Sequence, residues 1–388
     1  MPKTIIRPKR LHGGSIPSGP VTRSSDWLFT GCLLASRPTA DIVSEANLII
    51  DELEEILAQA GGTLDDVVSV FSLHLDLLTI DQVIDTAARR FGKNPPAWTA
   101  AGTTGFGVTG TTLGLRVIAD LSPGPRRTYQ LPGRTGWRTG AASGKGSLLF
   151  VSGQTAEAVD GSVPRPTSHV KQAQLAYQNI GALLKQAGGS LADVLDFTSF
   201  HLDIRGAEPT FTDVYVPEVM GKVSVDIAAT TSHVGSSGLQ RPGVLAAYSA
   251  IADLRAGART GGTPDSVWWK DFLPIAAATR KSGSPFICLA GHVAAQPDGS
   301  AIHAGDALGQ LRYILDSMRD TLHGYGLSLE NLVELTAFAK EPRAHEAIRK
   351  VIADYLPGDH HPALSIIGVP GLWLESFELE IAGIAIDA

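Results

Sequence analysis

Ala60 to Val68 read AGGTLDDVV, Ala187 to Leu195 read AGGSLADVL, and Tyr325 to Val333 read YGLSLENLV. The leucines Leu64, Leu191 and Leu329 align, and each interval between them is about one domain length. In a chain of 388 residues this spacing predicts one unit used three times. An amphipathic helical run precedes each segment: Asp41 to Gln59, His169 to Lys185, and Asp306 to Leu322. In the first run, Ala46, Ile49, Ile50, Leu53, Ile56 and Leu57 mark a single buried face. Gly61, Gly188 and Gly324 sit where a C-cap glycine is expected.

Short apolar segments rich in β-branched and aromatic residues follow the caps and predict strands over Val67 to Leu75, Val194 to Leu202, and Leu332 to Ala339. Second helices are expected at Ile80 to Phe91 and Ala344 to Tyr355, with a weaker one at Thr210 to Met220, which Pro217 interrupts. Early strands end at Gly31, Gly153 and Gly291. Closing strands run over Leu113 to Leu121, Val244 to Leu254, and Ser376 to Ile386. Gly/Pro-rich joints at Ser122 to Pro125 and Gly257 to Pro264 set expected domains at 1–124, 125–260 and 261–388.

Composition narrows the function classes. With 44% apolar and 18% charged residues, the chain has material for packed cores. A net charge of −7 without a basic stretch argues against nucleic-acid binding. Apolar runs such as Val244 to Ala252 are too short to cross a membrane. Met1 to Gly14 shows no apolar segment of a secretory signal, so a cytoplasmic protein is expected. Cys32 and Cys288 are read as two reduced thiols.

Several residues together resemble the RidA/YjgF family of enamine and imine deaminases, once labelled L-PSP endoribonucleases. They are the FVSGQ of Phe150 to Gln154, the helix followed by AGGSLADVL, the FHLD of Phe200 to Asp203 beside the LHLD of Leu73 to Asp76, and the Pro-Ala steps Pro96-Ala97 and Pro362-Ala363. The resemblance implies an α+β fold of three tandem chorismate-mutase-like units, with sheets inward and helices outward. Because family members are typically homotrimers with ligand clefts between subunits, one chain is expected to form a pseudo-trimer by itself. It is then a monomer or a dimer of such chains, with a small-molecule substrate and no cofactor.

The family's deaminases bind a substrate carboxylate through an arginine directly after the Pro-Ala step, a bidentate role that suits Arg. That position falls here on Trp98, Val225 and Leu364, so a simple 2-imino acid is not the expected substrate. The family's water-orienting glutamate on the last strand falls on Arg116, Ser249 and Glu380, so only the third copy keeps it. Glu380 is also readable as one of three strand-surface carboxylates with Glu375 and Glu378. The early-strand glycine implies ligand contacts near Gly31 and Cys32, near Ser152, Gly153 and Gln154, and near Gly291 and His292.

Residues from Ser232 to Leu254 run longer than Gly105 to Leu121 and read as an insertion, SHVGSSGLQRPG. Its His233 and Arg241 are candidate catalytic groups, with Arg241 a replacement anion clamp. The repeated pairs His74/Asp76 and His201/Asp203 admit two readings, a base with its orienting carboxylate or a buried histidine beside a capping aspartate. No metal site is expected, since His360-His361 is an isolated tandem pair, and no nucleotide site is expected, since Gly102 to Gly110 lacks a Walker lysine. The expected function is water attack on a C=N or amide-like carbon. The alternatives are a non-catalytic metabolite-binding protein and ring opening of cyclic amides as in cyanuric acid hydrolase and barbiturase, which needs Ser–Lys pairs.

Overall fold

The structure is a computed structural model describing residues 3–6, 21–134, 141–165, 167–220, 228–271, 273–357 and 361–387. It holds three sheets with one strand order. In the second unit the order runs Thr230–Gly235, Val194–His201, Ala246–Asp253, Leu148–Gln154, Ala141–Gly144, Arg127–Gln130. Units one and three repeat it, with central strands Val67–His74 and Leu332–Ala339 and closing strands Leu113–Asp120 and Leu379–Ile386. Each central strand pairs antiparallel with the closing strand and parallel with a short strand: Ala97–Gly102, Thr230–Gly235 or Ala363–Gly368. Parallel pairing needs a crossover, and the second helical segment of each unit supplies it.

The repeated signature is a local device. Thr63, Ser190 and Ser328 each cap a short helical turn, and Asp66, Asp193 and Asn331 accept the cap residue's backbone N–H at 2.7, 2.8 and 3.0 Å. These reciprocal bonds satisfy the end of the turn and launch the central strand. The first helices, Ile42–Gln59, His169–Gln186 and Ala307–His323, start at Asp41, Ser168 and Asp306, whose side chains accept first-turn N–H groups. Gly61 and Gly188 take positive φ of 83° and 89° as expected of cap glycines. Gly324 does not; Gly326 is the left-handed residue of the third copy, at 72°. The weak second helix is real but irregular: Ala207–Thr210 continues in wide π-type turns over Phe211–Met220, which accommodate Pro217.

Each unit has its own core between helices and sheet. The other sheet faces meet at the centre, where Trp27, Phe29, Phe150 and Phe286 from all three units pack together. Burying these rings favours closing the ring of units. The same centre holds a charge pair: Arg116 Nε and Nη2 donate to both Glu334 oxygens at 2.8 and 2.7 Å.

Three equivalent hydrogen bonds stitch the ring. The N–H of Gly102 donates to Gly238 O, that of Gly235 to Gly371 O, and that of Gly368 to Gly105 O, each at 2.9 Å. Every copy thus ends its parallel strand with Gly-x-x-Gly, and the first glycine of one copy binds the second of a neighbour. A Cβ on Gly102, Gly235 or Gly368 would lie 2.8 Å from that neighbour's backbone, so glycine is required by close approach. The connections that carry these turns, 103–112, 236–245 and 369–378, are equal in length. The insertion read in the second copy is therefore absent; it arose from setting Ser232 opposite Gly105, whereas strand register sets it opposite Thr99.

Candidate active site

Strand register fixes which residues correspond. Leu73, Phe200 and Phe338 hold one place on the three central strands, and they face Gly114, Ala247 and Glu380. The counterparts of Glu380 are thus Gly114 and Ala247, two residues before Arg116 and Ser249. Only the third unit has a carboxylate there, as expected, but Arg116 is an axial ion-pair residue instead.

Glu380 sits where the third unit's closing strand meets the second unit's parallel strand. The residue is 4% exposed, and burial pushes its carboxyl pKa up to about 8, partly offset by a hydrogen bond from the His233 backbone. The carboxyl is therefore largely neutral at pH 7 and able to donate a proton. Gly291 makes room for it: a Cβ at that position would overlap the Glu380 carboxyl.

A cavity of about 250 Å³ opens beside this carboxyl. The second unit contributes Thr231, His233 and the exposed Glu208. The third contributes Gly291, Glu380 and the indoles of Trp268, Trp269 and Trp373. Trp373 stands edge-on to His233 with ring centres 5.4 Å apart. Trp269 packs edge-on to His292 at 5.2 Å. No Lys or Arg among the described residues lines the cavity. Thr231 Oγ1, His233 Nε2 and Trp268 Nε1 are buried without a partner among the described residues. His233 is neutral, its pKa lowered to about 4 by burial.

The cavity thus unites Glu380, His233 and Gly291. His292 is fully buried behind Trp269, its ring nitrogens facing Ala290 O at 2.8 Å and Thr321 Oγ1 at 3.3 Å. Arg241 lies at the boundary of units one and two, 3.5 Å from Asp81 and 3.6 Å from Glu157, and does not line this cavity. The corresponding positions at the other junctions make direct contacts instead. Gly153 N–H donates to Thr99 Oγ1 at 2.8 Å, and Gln154 folds back on Ser152 at 3.0 Å. Cys32, and not Gly31, is the register counterpart of Gly153 and Gly291: Leu33, Gln154 and His292 hold one place on the strand, reached from Phe29, Phe150 and Cys288 across the same bulge in every copy. Cys32 packs against Gly114 beside Phe106; it and Cys288 are free, buried thiols, and burial pushes the Cys32 thiol up to about 12.

The His-x-Asp pairs resolve as capping. Asp76 and Asp203 accept the N–H of Leu78 and Arg205, while His74 and His201 are buried against Ser72 and Ser199.

The family profile described as Endoribonuclease L-PSP matches residues 136–252 and 278–387. The chain belongs to the endoribonuclease L-PSP family. The RutC family protein YjgH of Escherichia coli K12 is 43% identical over 77 residues, 20% of this chain. The match covers 55% of YjgH, so the chain spans just over half the length of that relative. The 3-aminoacrylate deaminase RutC of Acinetobacter baylyi is 28% identical over 124 residues, 32% of this chain and 91% of RutC. A solved chorismatase structure shares the fold, with TM-score 0.54 and 15% identity over 83% of this chain and 93% of that one.

Within this L-PSP chain, the place of the clamp arginine is occupied by Trp98, Thr231 and Leu364. Val225 lies outside the described residues, and register assigns the second copy's position to Thr231. Trp98 is buried in the first unit's core, its indole N–H on Ser72 Oγ at 2.9 Å, and Leu364 is buried in the third unit's core. Neither lines the cavity.

Sequence reasoning missed the three tryptophans. A signal was present: Trp268-Trp269 is a tandem pair directly after the Gly/Pro-rich joint, in a chain with six tryptophans.

Proposed function

We propose that the cleft between the second and third units hydrolyses a C=N bond of a planar, largely apolar imine or enamine that carries no carboxylate. The observation that carries this reading is the neutral, buried Glu380 carboxyl beside a tryptophan-lined cavity. Membership of the L-PSP family and the similarity to a 3-aminoacrylate deaminase support the reaction class. Two acids and no Lys or Arg lining the cavity make it a poor host for a carboxylate and a fair one for a neutral or cationic group. Indole faces suit a flat substrate.

Glu380 gives its proton to the substrate nitrogen as water adds to the carbon. The carbinolamine then collapses: the C–N bond breaks, ammonia leaves, and a carbonyl remains. The test generates an aryl imine with an amine oxidase in the presence of semicarbazide, which traps imine that is not hydrolysed. The wild-type protein is expected to lower semicarbazone yield, Glu380→Gln to lose at least tenfold of that effect with no fall in melting temperature, and a 2-imino acid to be a worse substrate. Equal trapping with and without the protein, or full activity in Glu380→Gln, would contradict the assignment.

A further inference from the structure

Behind His233 lies a buried chain of side chains that the reaction above does not use. Ser199 Oγ is 2.6 Å from His233 Nδ1, 2.9 Å from His201 Nε2 and 3.3 Å from the Ser232 carbonyl. A hydroxyl has one proton and two lone pairs, and a carbonyl only accepts. One assignment satisfies all three contacts: Ser199 donates to Ser232 O, and both imidazoles donate to Ser199. His233 then carries its proton on Nδ1, and Nε2, buried without a partner, is left with a bare lone pair.

The three copies separate this arrangement from ordinary core packing. The first copy has the same pair, Ser72 and His74 at 3.0 Å, but its serine accepts from Trp98 Nε1 at 2.9 Å and the place of His233 is Ala100. The third copy has Ala337, Ala339 and Ile366 in these places. The complete set occurs once, in the unit whose parallel strand faces Glu380.

We propose that Ser199 and His201 are positioning residues that lock His233 as the Nδ1–H tautomer, so that its Nε2 is the base for the attacking water opposite the acid Glu380. The role of the base rests on the imine-hydrolysis reading; the tautomer lock does not. In the addition, the water O–H bond breaks and its proton bonds to His233 Nε2, while the Glu380 proton bonds to the substrate nitrogen. In the collapse, His233 returns its proton to the departing nitrogen and Glu380 takes the carbinolamine hydroxyl proton. Both groups end as they began, and water is the only co-reactant.

Nitrogen NMR of protein labelled with 15N-histidine, with the His233 signals identified by their loss in His233→Gln, reads the tautomer without any substrate. The expected result is a protonated Nδ1 and an unprotonated Nε2 in the wild type, with Ser199→Thr retaining that state and Ser199→Ala shifting it toward Nε2–H. His233 protonated on Nε2 in the wild type, or the same tautomer in Ser199→Ala, would overturn the lock. In the imine assay, Ser199→Ala is expected to lower kcat at least tenfold with little change in KM, while Ser72→Ala leaves both unchanged. Full kcat in a Ser199→Ala protein whose tautomer has shifted would overturn the role of the base. A wild type inactive on every imine, with the tautomer as stated, would refute the hydrolase reading and with it the base, and leave the lock standing.

Discussion

The proposed role of Glu380 carries a cost in stability. Its pKa rises from the ordinary 4.5 to about 8 because burial disfavours the charged form. Between these values the folded protein holds a proton that the unfolded chain has released. Stability therefore falls as pH rises from 4.5 to 8 and levels off above. Glu380→Gln should remove this slope and exceed wild-type stability by on the order of a few kcal/mol at about pH 9 but not at about pH 4, as measured by urea unfolding. Turnover should fall above pH 8, where the acid has ionised. Gly291→Ala should displace the carboxyl and lower turnover at least tenfold, while the aryl imine still binds, giving a kcat effect larger than any KM effect.

Among the helices and strands, the periodic features were legible in the sequence. The first helices follow from apolar spacing and capping residues, and the second helix Ile80–Phe91 from apolar spacing alone, signals that act within one or two turns. The Gly-x-x-Gly staples were not legible, because the need for a glycine arises only when a neighbouring unit's backbone is beside it. The displaced counterparts of Glu380 have a simple physical cause. A two-residue slip in a strand keeps every side chain on the same face, so alternation cannot distinguish Arg116 from Gly114. The one-residue confusion of Gly31 with Cys32 comes from setting glycine against glycine, whereas the bulge shared by all three copies holds Cys32 in the first and glycine in the other two. Gly235→Ala should cost about 1–3 kcal/mol in denaturant unfolding, since its Cβ meets Gly371 backbone that cannot move aside.

The whole molecule turns three copies into one ring with unequal junctions. The junction of units one and two is occupied by Thr99 against Gly153, that of units three and one by Cys32 and Phe106 against Gly114, and that of units two and three keeps Glu380 and the tryptophans. Across the centre, the Arg116–Glu334 pair joins units one and three, with Glu334 only 2% exposed. Arg116→Ala should cost about 3–5 kcal/mol by leaving that carboxylate without its partner, and adding Glu334→Leu should recover much of the loss in urea unfolding. None of the described helices is long and apolar enough to cross a membrane. The chemistry proposed for the cleft between units two and three depends on Glu380 being neutral at physiological pH. Carbon NMR of protein labelled with 13C at the glutamate side-chain carboxyls, taken as the difference from Glu380→Gln, measures that directly. A single carboxyl titrating near pH 8 is the predicted result, and a Glu380 that titrates with the exposed glutamates near 4.5 would contradict it.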